Sequence, residues 1–290
     1  MTESSWCAVF EIKDDWERCL DPEERPADIM KTWTGVKEKD TNFVFKKRVF
    51  VREDSKEIQD PVARQYVYLQ AVTCVNDGTY PSGVEDAERL AGLQLQVVYG
   101  DHNEDTHQIG FLSHNLQNFV PRLLMPMRKN NEWEARIFKE HKKNRGKSTE
   151  QAQLEYLGIV TKWDYYGTTF FPPCKFVPSK TMAKQLKGKI AIGVNQDGIV
   201  LLKPKDKTLV SKHPYTEVCS WASSPASFAF EFGSPQDANK YQFETKYGAI
   251  IASTIQTYID ILVDMLTRGE GDDDDSASGG NLGSDMDSEN

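Results

Sequence analysis

Short alternating segments dominate the first 52 residues of the chain. Apolar and polar side chains alternate over Cys7–Ile12 and over Asn42–Val51, which is typical of strands with one buried face. Prolines at Asp21-Pro22 and Arg25-Pro26 break the chain between them, and residues 27–33 favour one or two helical turns. We expect this stretch to be too short to close a core of its own.

Between residues 60 and 150 the apolar positions change to a helical period. Asp60-Pro61 predicts an N-cap with proline at the first helical position. Ser82 with Glu85 and Ser148 with Gln151 predict two capping boxes, and Gly100 is placed to end a helix. The apolar residues that follow these start signals are Val62, Tyr66, Leu69, Val84, Ala87, Leu90, Ala91, Val98, Trp133, Ile137, Leu154 and Leu157.

From about residue 165 the period is two, and then a single long helix follows. Short strands are predicted at residues 165–171, 189–194, 199–203, 216–221, 227–232 and 240–244. Residues 248–266 carry one apolar stripe, formed by Ile251, Ile255, Ile259, Leu262 and Leu266. A row of antiparallel strands closed by one amphipathic helix is the pattern of pleckstrin-homology (PH) and phosphotyrosine-binding (PTB) barrels, in which the helix covers an open end.

Composition and charge narrow the class of protein. No run of eighteen apolar residues and no signal-peptide pattern occurs, so the sequence predicts a protein of a reducing, cytoplasmic compartment. The five cysteines are widely spaced and lack a Cys-x-x-Cys pair, which argues against a disulfide framework and a structural zinc site. Residues 270–290 carry eight acidic and no basic side chains, so the rest of the chain has a net charge of only -1 out of -9. This acidic tail is predicted to be disordered.

Catalytic motifs are missing from the sequence. It contains no Gly-rich phosphate cradle, no Gly-x-Ser-x-Gly elbow and no supported Cys–His pair. The spacing of His102 and His107 does not place both on one helix face, so no metal site is predicted there. A pI near 5.2 argues against nucleic-acid binding. We therefore expect a non-enzymatic protein without a cofactor, with a hydrolase as a distant alternative.

The order of these segments resembles the FERM domain. Asp60-Pro61-Val62, residues 68–71 and 91–96, and Gly100-Asp-His-Asn-Glu104 are similar to the middle lobe of talin-type FERM domains. Residues 221–228, 230–233 and 258–262 are similar to the fifth and sixth strands and the closing helix of their third lobe. Val9–Ile12 and Glu17–Asp21 are more similar to the first lobe in MyTH4-FERM myosin tails, and the choice between the two parents stays open.

The resemblance implies an α+β, FERM-type architecture of three lobes. Residues 1–52 form a partial ubiquitin-like lobe, because its first hairpin and helix have no counterpart, and the chain is expected to be a fragment of a longer protein. Residues 53–150 form an all-α lobe like acyl-CoA-binding protein, and residues 151–268 a PH/PTB-like β-barrel with a C-terminal helix. Residues 269–290 are the disordered acidic tail. An apolar face and a strand edge of the first lobe should be left without a partner.

The resemblance also implies a peptide site. In PTB-type lobes an extended peptide adds a strand to the fifth strand, beside the closing helix. The corresponding candidate residues are Val218, Cys219, Ser220, Trp221, Ala222 and Ser223 on the strand and Ile255 and Ile259 on the helix. The alternative is that Trp221 is simply a core residue. Ser220 stands where talins have a basic residue, so the ligand need not be an integrin-type tail.

Two basic segments suggest contact with an anionic membrane. Residues 162–190 and residues 136–147 each carry six basic side chains against one acidic side chain. Basic residues near an anionic leaflet each contribute about 1 kcal/mol. The candidate lipid-binding residues are Lys162, Lys175, Lys180, Lys184, Lys187, Lys189, Lys142, Lys143 and Arg145. The alternative is a solvated lysine-rich surface, and the acidic tail could compete with lipid for it.

The sequence and the resemblance together imply a cytoskeletal adaptor. It would bind the cytoplasmic tail peptide of a membrane protein and anionic phosphoinositide, and connect them to an actin-linked assembly. Such a module is peripheral at the membrane and the cortical cytoskeleton, in the setting of cell adhesion. The rival hypothesis is a PH-like phosphoinositide-binding module without a peptide partner.

Overall fold

A computed structural model describes residues 7–13, 16–21, 23–33, 41–51, 59–178, 188–205, 207–234 and 237–272. The N-terminal lobe consists of strands β1 (Cys7–Lys13), β2 (Trp16–Cys19) and β3 (Thr41–Lys47) and helix α1 (Pro26–Met30). The strands form an antiparallel sheet in the order β2-β1-β3, so β3 has no partner strand on its outer edge among the described residues. The side chain of Phe45 on β3 is 69% exposed. Among the described residues, a strand edge without a partner strand is therefore present, and the apolar side chain of Phe45 is exposed.

The second lobe is helical, with α2 (Pro61–Asn76), α3 (Val84–Tyr99), α4 (Asn130–Lys142) and α5 (Thr149–Val160). Short 3-10 turns at Leu116–Asn118 and Met125–Met127 lie between α3 and α4. One core joins α2, α3 and α5, and a second core joins α3, α4 and the intervening turns. Helix α5 contributes Ala152, Tyr156, Leu157 and Val160 to the first of these cores. Because α5 packs with these helices, we propose that the lobe ends after Val160 rather than at residue 150.

N-caps predicted from the sequence are present at two of these helices and wrong at a third. The Asp60 carboxylate accepts a hydrogen bond from the Ala63 amide, and Ser148 and Gln151 form the predicted capping box. The capping box predicted at Ser82 and Glu85 is wrong, because Gly83 is the N-cap of α3 and no side chain caps this helix. Gly100 ends α3 with a positive φ of 72°, as predicted.

A glycine sets the separation of α3 and α4. A Cβ atom placed on Gly92 would lie 2.7 Å from Cβ of Glu140 and 2.9 Å from the backbone nitrogen of His141. These distances are far below van der Waals contact, so only glycine permits this crossing. The two helix backbones touch there without an intervening side chain.

The third lobe contains eight strands and a closing helix. The strands are β4 (Thr169–Phe170), β5 (Cys174–Phe176), β6 (Lys189–Asn195), β7 (Gly198–Leu202), β8 (Leu209–Pro214), β9 (Val218–Ser224), β10 (Ser227–Ser234) and β11 (Asp237–Glu244). They form one antiparallel sheet in the order β8-β7-β6-β5-β11-β10-β9, with β4 paired to β6. The sequence patterns missed β5 and β8. Strand β9 lies at one end of the sheet.

Helix α6 (Gly248–Asp272) covers the inner face of this sheet. Its buried side chains are Ile251, Thr254, Ile255, Tyr258 and Ile261, whereas Leu266 from the predicted stripe is 70% exposed. The expectation that no segment could span a bilayer was too strict, since Gly248–Thr267 is long and apolar enough by composition. Its packing in the core of the third lobe accounts for part of that apolar character, since 28% of this stretch is buried.

A chain of buried hydrogen bonds joins the three lobes. The amide of Phe50 donates to Oη of Tyr258, and this hydroxyl donates to the carbonyl of Gly167, both at 3.2 Å. The amide of Gly167 donates to Oη of Tyr80 at 2.9 Å. Gly167 has a φ of +68°, and a Cβ atom there would lie 2.5 Å from Cβ of Phe50. The lobes therefore share one polar junction rather than meeting only at their surfaces.

Candidate functional site

The outer edge of β9 offers backbone groups for pairing. Strands β9 and β10 pair from Ser224 opposite Ser227, across a two-residue turn, so this closing pair is of the hydrogen-bonded type. Alternation then directs the amides and carbonyls of Trp221 and Ser223 away from β10. Among the described residues, no other backbone segment pairs with this edge. It has the geometry that strand addition requires.

The side chain of Trp221 is half-buried and packs against the core of the third lobe. It lies opposite Phe230, which is 1% exposed. Trp221 was considered either as a peptide contact or as a core residue. The structure fits both in part, because one portion of the side chain packs on the core and another portion stays accessible. Its neighbours Cys219, Ser220, Ala222 and Ser223 are exposed, and Val218 is half-buried.

Helix α6 borders β9, but its predicted contacts need correction. Ile255 is fully buried at 0% exposure, so it supports the sheet from inside and offers no surface to a peptide. Ile259 is half-buried and packs against the same core. At the start of α6, a Cβ atom on Gly248 would lie 2.3 Å from the carbonyl oxygen of Ser227 and 3.2 Å from Cβ of Ser223. The close approach of helix and hairpin thus depends on Gly248.

The lysines of the third lobe form a partly compensated basic surface. Lys175 on β5 lies directly opposite Lys189 on β6, and both are exposed. Lys175 also forms an ion pair with Glu244 at 3.0 Å. Lys162 is exposed, while Lys180, Lys184 and Lys187 lie outside the described residues. Like charges in opposed positions repel, and the Glu244 carboxylate offsets part of this repulsion.

The basic residues of the helical lobe are more fully neutralised. Lys142 pairs with Glu104 at 2.8 Å, and Lys143 pairs with Glu140 at 2.6 Å. Arg145 is exposed. Lys147, in the same basic segment, pairs with Glu155. This segment therefore has less net positive potential than the sequence count suggested.

An apolar groove lies between β3 and α2. It has a volume of about 560 Å³, and Phe45, Val62, Tyr66 and Leu69 line it. The three residues from α2 were predicted from the helical period, but they face this groove and are 48–67% exposed. The side-chain amide of Gln70 binds both the amide and the carbonyl of Lys47, which caps one end of the β3 edge.

A histidine cluster in the helical lobe was missed by the sequence patterns. His102 and His107, from the segment after α3, meet His141 from α4, with ligand atoms all within 4.8 Å of one another. Burial lowers the pKa of His141 to about 4, and burial also lowers the pKa of His102 and of His107. Spacing within residues 101–107 could not reveal it, because the third histidine comes from a distant helix.

Comparisons with known proteins agree with this order of lobes. Residues 53–171 match the family model of the FERM central domain, and residues 176–263 match that of the PTB domain of IRS-1 type. Talin from Oscarella pearsei is 32% identical over 220 residues, which are 76% of this chain and 8% of the talin. FERM domain-containing protein B from Dictyostelium discoideum is 32% identical over 212 residues, 71% of this chain and 44% of that protein. The chain thus spans less than half the length of these relatives.

A solved structure shows the same fold. The C-terminal MyTH4-FERM domain of human myosin 7b, solved in complex with the harmonin-a PDZ3 domain, superposes with a TM-score of 0.66 at 21% sequence identity. The alignment covers 90% of this chain and 53% of that one. The resemblance seen in the sequence is therefore confirmed. The chain has a FERM-type fold, in which a FERM central domain is followed by a PTB-type domain, and its relatives include talins.

Proposed function

We propose that this FERM domain is a cytoskeletal adaptor that binds a short, extended peptide along the outer edge of β9. The single observation that supports it is the outward direction of the Trp221 and Ser223 backbone groups on an edge strand. A peptide strand placed there would receive backbone hydrogen bonds, and the accessible part of Trp221 would contact its side chains. The match to a PTB-type domain supports the same site.

The proposed ligand is the cytoplasmic tail of a membrane protein, held next to an anionic membrane. The adaptor would then connect this tail to an actin-linked assembly at the cell cortex. The structure of myosin 7b in complex with harmonin-a PDZ3 supports the general role of a FERM-containing region in binding another protein. No catalytic step and no cofactor are part of the proposal.

The Trp221→Ala variant is expected to bind an Asn-Pro-x-Tyr-type peptide about tenfold more weakly than the wild type, since a buried aromatic contact is lost. Isothermal titration measures the affinity, and circular dichroism checks the fold. Trp163→Ala is the matched control, because Trp163 is also half-buried but packs in the helical lobe. Equal affinities of wild type and Trp221→Ala would contradict the site.

The opposed Lys175 and Lys189 support a second proposed activity, binding of a phosphoinositide-containing membrane. Neutralising one exposed lysine near an anionic leaflet removes about 1 kcal/mol, so Lys189→Gln should lower vesicle partitioning about fivefold. Sedimentation with and without phosphoinositide in the vesicles measures this. Lys31→Gln changes an exposed lysine of the first lobe and serves as the control. Identical pelleting of the wild type with both kinds of vesicle would remove the membrane proposal.

These two activities can be separated. If the chain binds the peptide but does not bind vesicles, the result supports the peptide-binding adaptor and contradicts the proposed membrane contact. A chain that partitions to phosphoinositide vesicles but binds no extended peptide fits the rival hypothesis of a PH-like lipid-binding module. Parallel titrations with peptide and with vesicles on one preparation distinguish the two.

A further inference from the structure

The histidine cluster of the helical lobe has nitrogen atoms without protein partners. His102, whose side chain is 4% exposed, lacks a hydrogen bond at both Nδ1 and Nε2. His141, at 0% exposure, lacks one at Nδ1. A neutral imidazole must carry one N–H group, and a buried N–H without an acceptor destabilises a fold. These nitrogen atoms therefore need a hydrogen-bonding or metal partner that the protein itself does not supply.

The second nitrogen of His141 is oriented by the backbone. Its Nε2 lies 2.7 Å from the carbonyl oxygen of Gly100, so Nε2 carries the proton and the buried Nδ1 has a lone pair without a hydrogen-bond partner. Metal-binding histidines are held in this way, with the non-ligating nitrogen donating to a carbonyl or carboxylate. His141 is thus already in the tautomer that a metal ion needs.

From this geometry we propose that His102, His107 and His141 bind one divalent transition-metal ion, Zn²⁺ by preference. Imidazole nitrogen is a ligand that zinc favours, and three histidines leave the fourth tetrahedral position for water or a carboxylate. Glu104 is the neighbouring carboxylate, with Oε2 lying 3.8 Å from Nε2 of His102. A cavity of about 580 Å³, lined by His102, Glu104, His107 and Phe138, gives an ion access from solvent to two of the three histidines.

Two lysines, Lys139 and Lys142, line the same cavity, and the charge of Lys142 is compensated by Glu104.

Binding requires one local rearrangement. Ligand nitrogens around tetrahedral zinc lie about 3.3 Å apart, so nitrogens separated by up to 4.8 Å must approach by up to about 1.5 Å. The amide of Asn103 now donates to Nδ1 of His107 at 3.0 Å, which leaves the proton on Nε2. Coordination through Nε2 moves the proton to Nδ1 and breaks the Asn103 bond. The loop at residues 101–107 must therefore shift when the ion binds.

Titration of the metal-depleted full chain with Zn²⁺, against a chromophoric chelator, tests the proposal. We expect one ion per chain, and an affinity at least tenfold lower in His102→Gln and His141→Gln. His114→Ala, at an exposed histidine outside the cluster, and Cys219→Ser, at an exposed thiol, should bind like the wild type. Retained stoichiometry and affinity in folded His102→Gln would overturn the assignment.

A measurement on the wild type alone covers the case in which a cluster variant fails to fold. In an amide nitrogen–hydrogen correlation spectrum, one equivalent of Zn²⁺ should displace the Asn103 resonance, because its hydrogen bond to His107 is lost. An unmoved Asn103 resonance at saturating Zn²⁺, or the absence of saturable binding, would rule out the site. The histidine cluster lies in the helical lobe, whereas the peptide and vesicle proposals concern residues of the third lobe. A failure of those proposals therefore does not change the expected result of the Zn²⁺ titration.

Discussion

The Ser223→Pro variant is expected to lose affinity for an extended peptide by about 30- to 100-fold, which corresponds to about 2–3 kcal/mol. Proline removes the outward amide of Ser223 and places a ring where the guest strand would lie. The peptide carbonyl that this amide would bind is left without a donor. The amide of Ser223 does not pair with β10, so the sheet keeps all its own hydrogen bonds. Fluorescence polarisation with a labelled peptide measures the loss.

Two neighbouring variants complete this test. Ser223→Thr keeps the amide and should bind within about twofold of the wild type, since only a methyl group is added at an exposed position. Ala222→Pro removes an amide that does pair with β10 and should lower the stability of the third lobe instead. If Ser223→Pro folds normally and binds as tightly as Ser223→Thr, backbone pairing at this edge is not the mode of binding.

Tyr258→Ala should lower the free energy of unfolding by about 3–5 kcal/mol, the usual cost of removing a fully buried aromatic ring. Tyr258→Phe should lower it by about 1–3 kcal/mol, because it keeps the ring but leaves the Phe50 amide and the Gly167 carbonyl without their partner. Urea unfolding followed by fluorescence measures both variants.

The control for these variants is Tyr66→Phe, since Tyr66 is 67% exposed and its loss of a hydroxyl should change stability by less than about 0.5 kcal/mol. The Tyr258 hydroxyl connects the segment after β3, at Phe50, with the start of the third lobe. Its removal should therefore also lower the cooperativity of unfolding. A Tyr258→Phe variant as stable as Tyr66→Phe would show that the junction contributes little.

Local signals predicted the helices and hairpins because these elements depend on nearby residues. The Asp60-Pro61 start, the Ser148–Gln151 capping box and the Gly100 stop all occur where the sequence places them. The predicted capping box at Ser82 and Glu85 is wrong because the N-cap is Gly83, one residue after Ser82. Strand β5 was missed because it has only three residues, directly after Pro172-Pro173.

Which face of an element is buried depends on contacts that a periodicity cannot show. Val62, Tyr66 and Leu69 share a helical stripe, but α2 packs on the lobe through Val67, Ala71 and Val75 instead. Ile255 was expected at the peptide site from its place on α6, yet the sheet covers it completely. The histidine cluster needed residues about 40 positions apart to meet, as in the contact of His141 with Gly100. Only the tertiary fold brings them together.

The contact at Gly92 bears on how motion could pass through the helical lobe. With backbone against backbone at this crossing, α3 and α4 cannot move closer, and separating them would open a void in a close-packed interior. Any movement of α4 relative to α3 therefore pivots about Glu140 and His141, so the backbone of His141 stays close to α3.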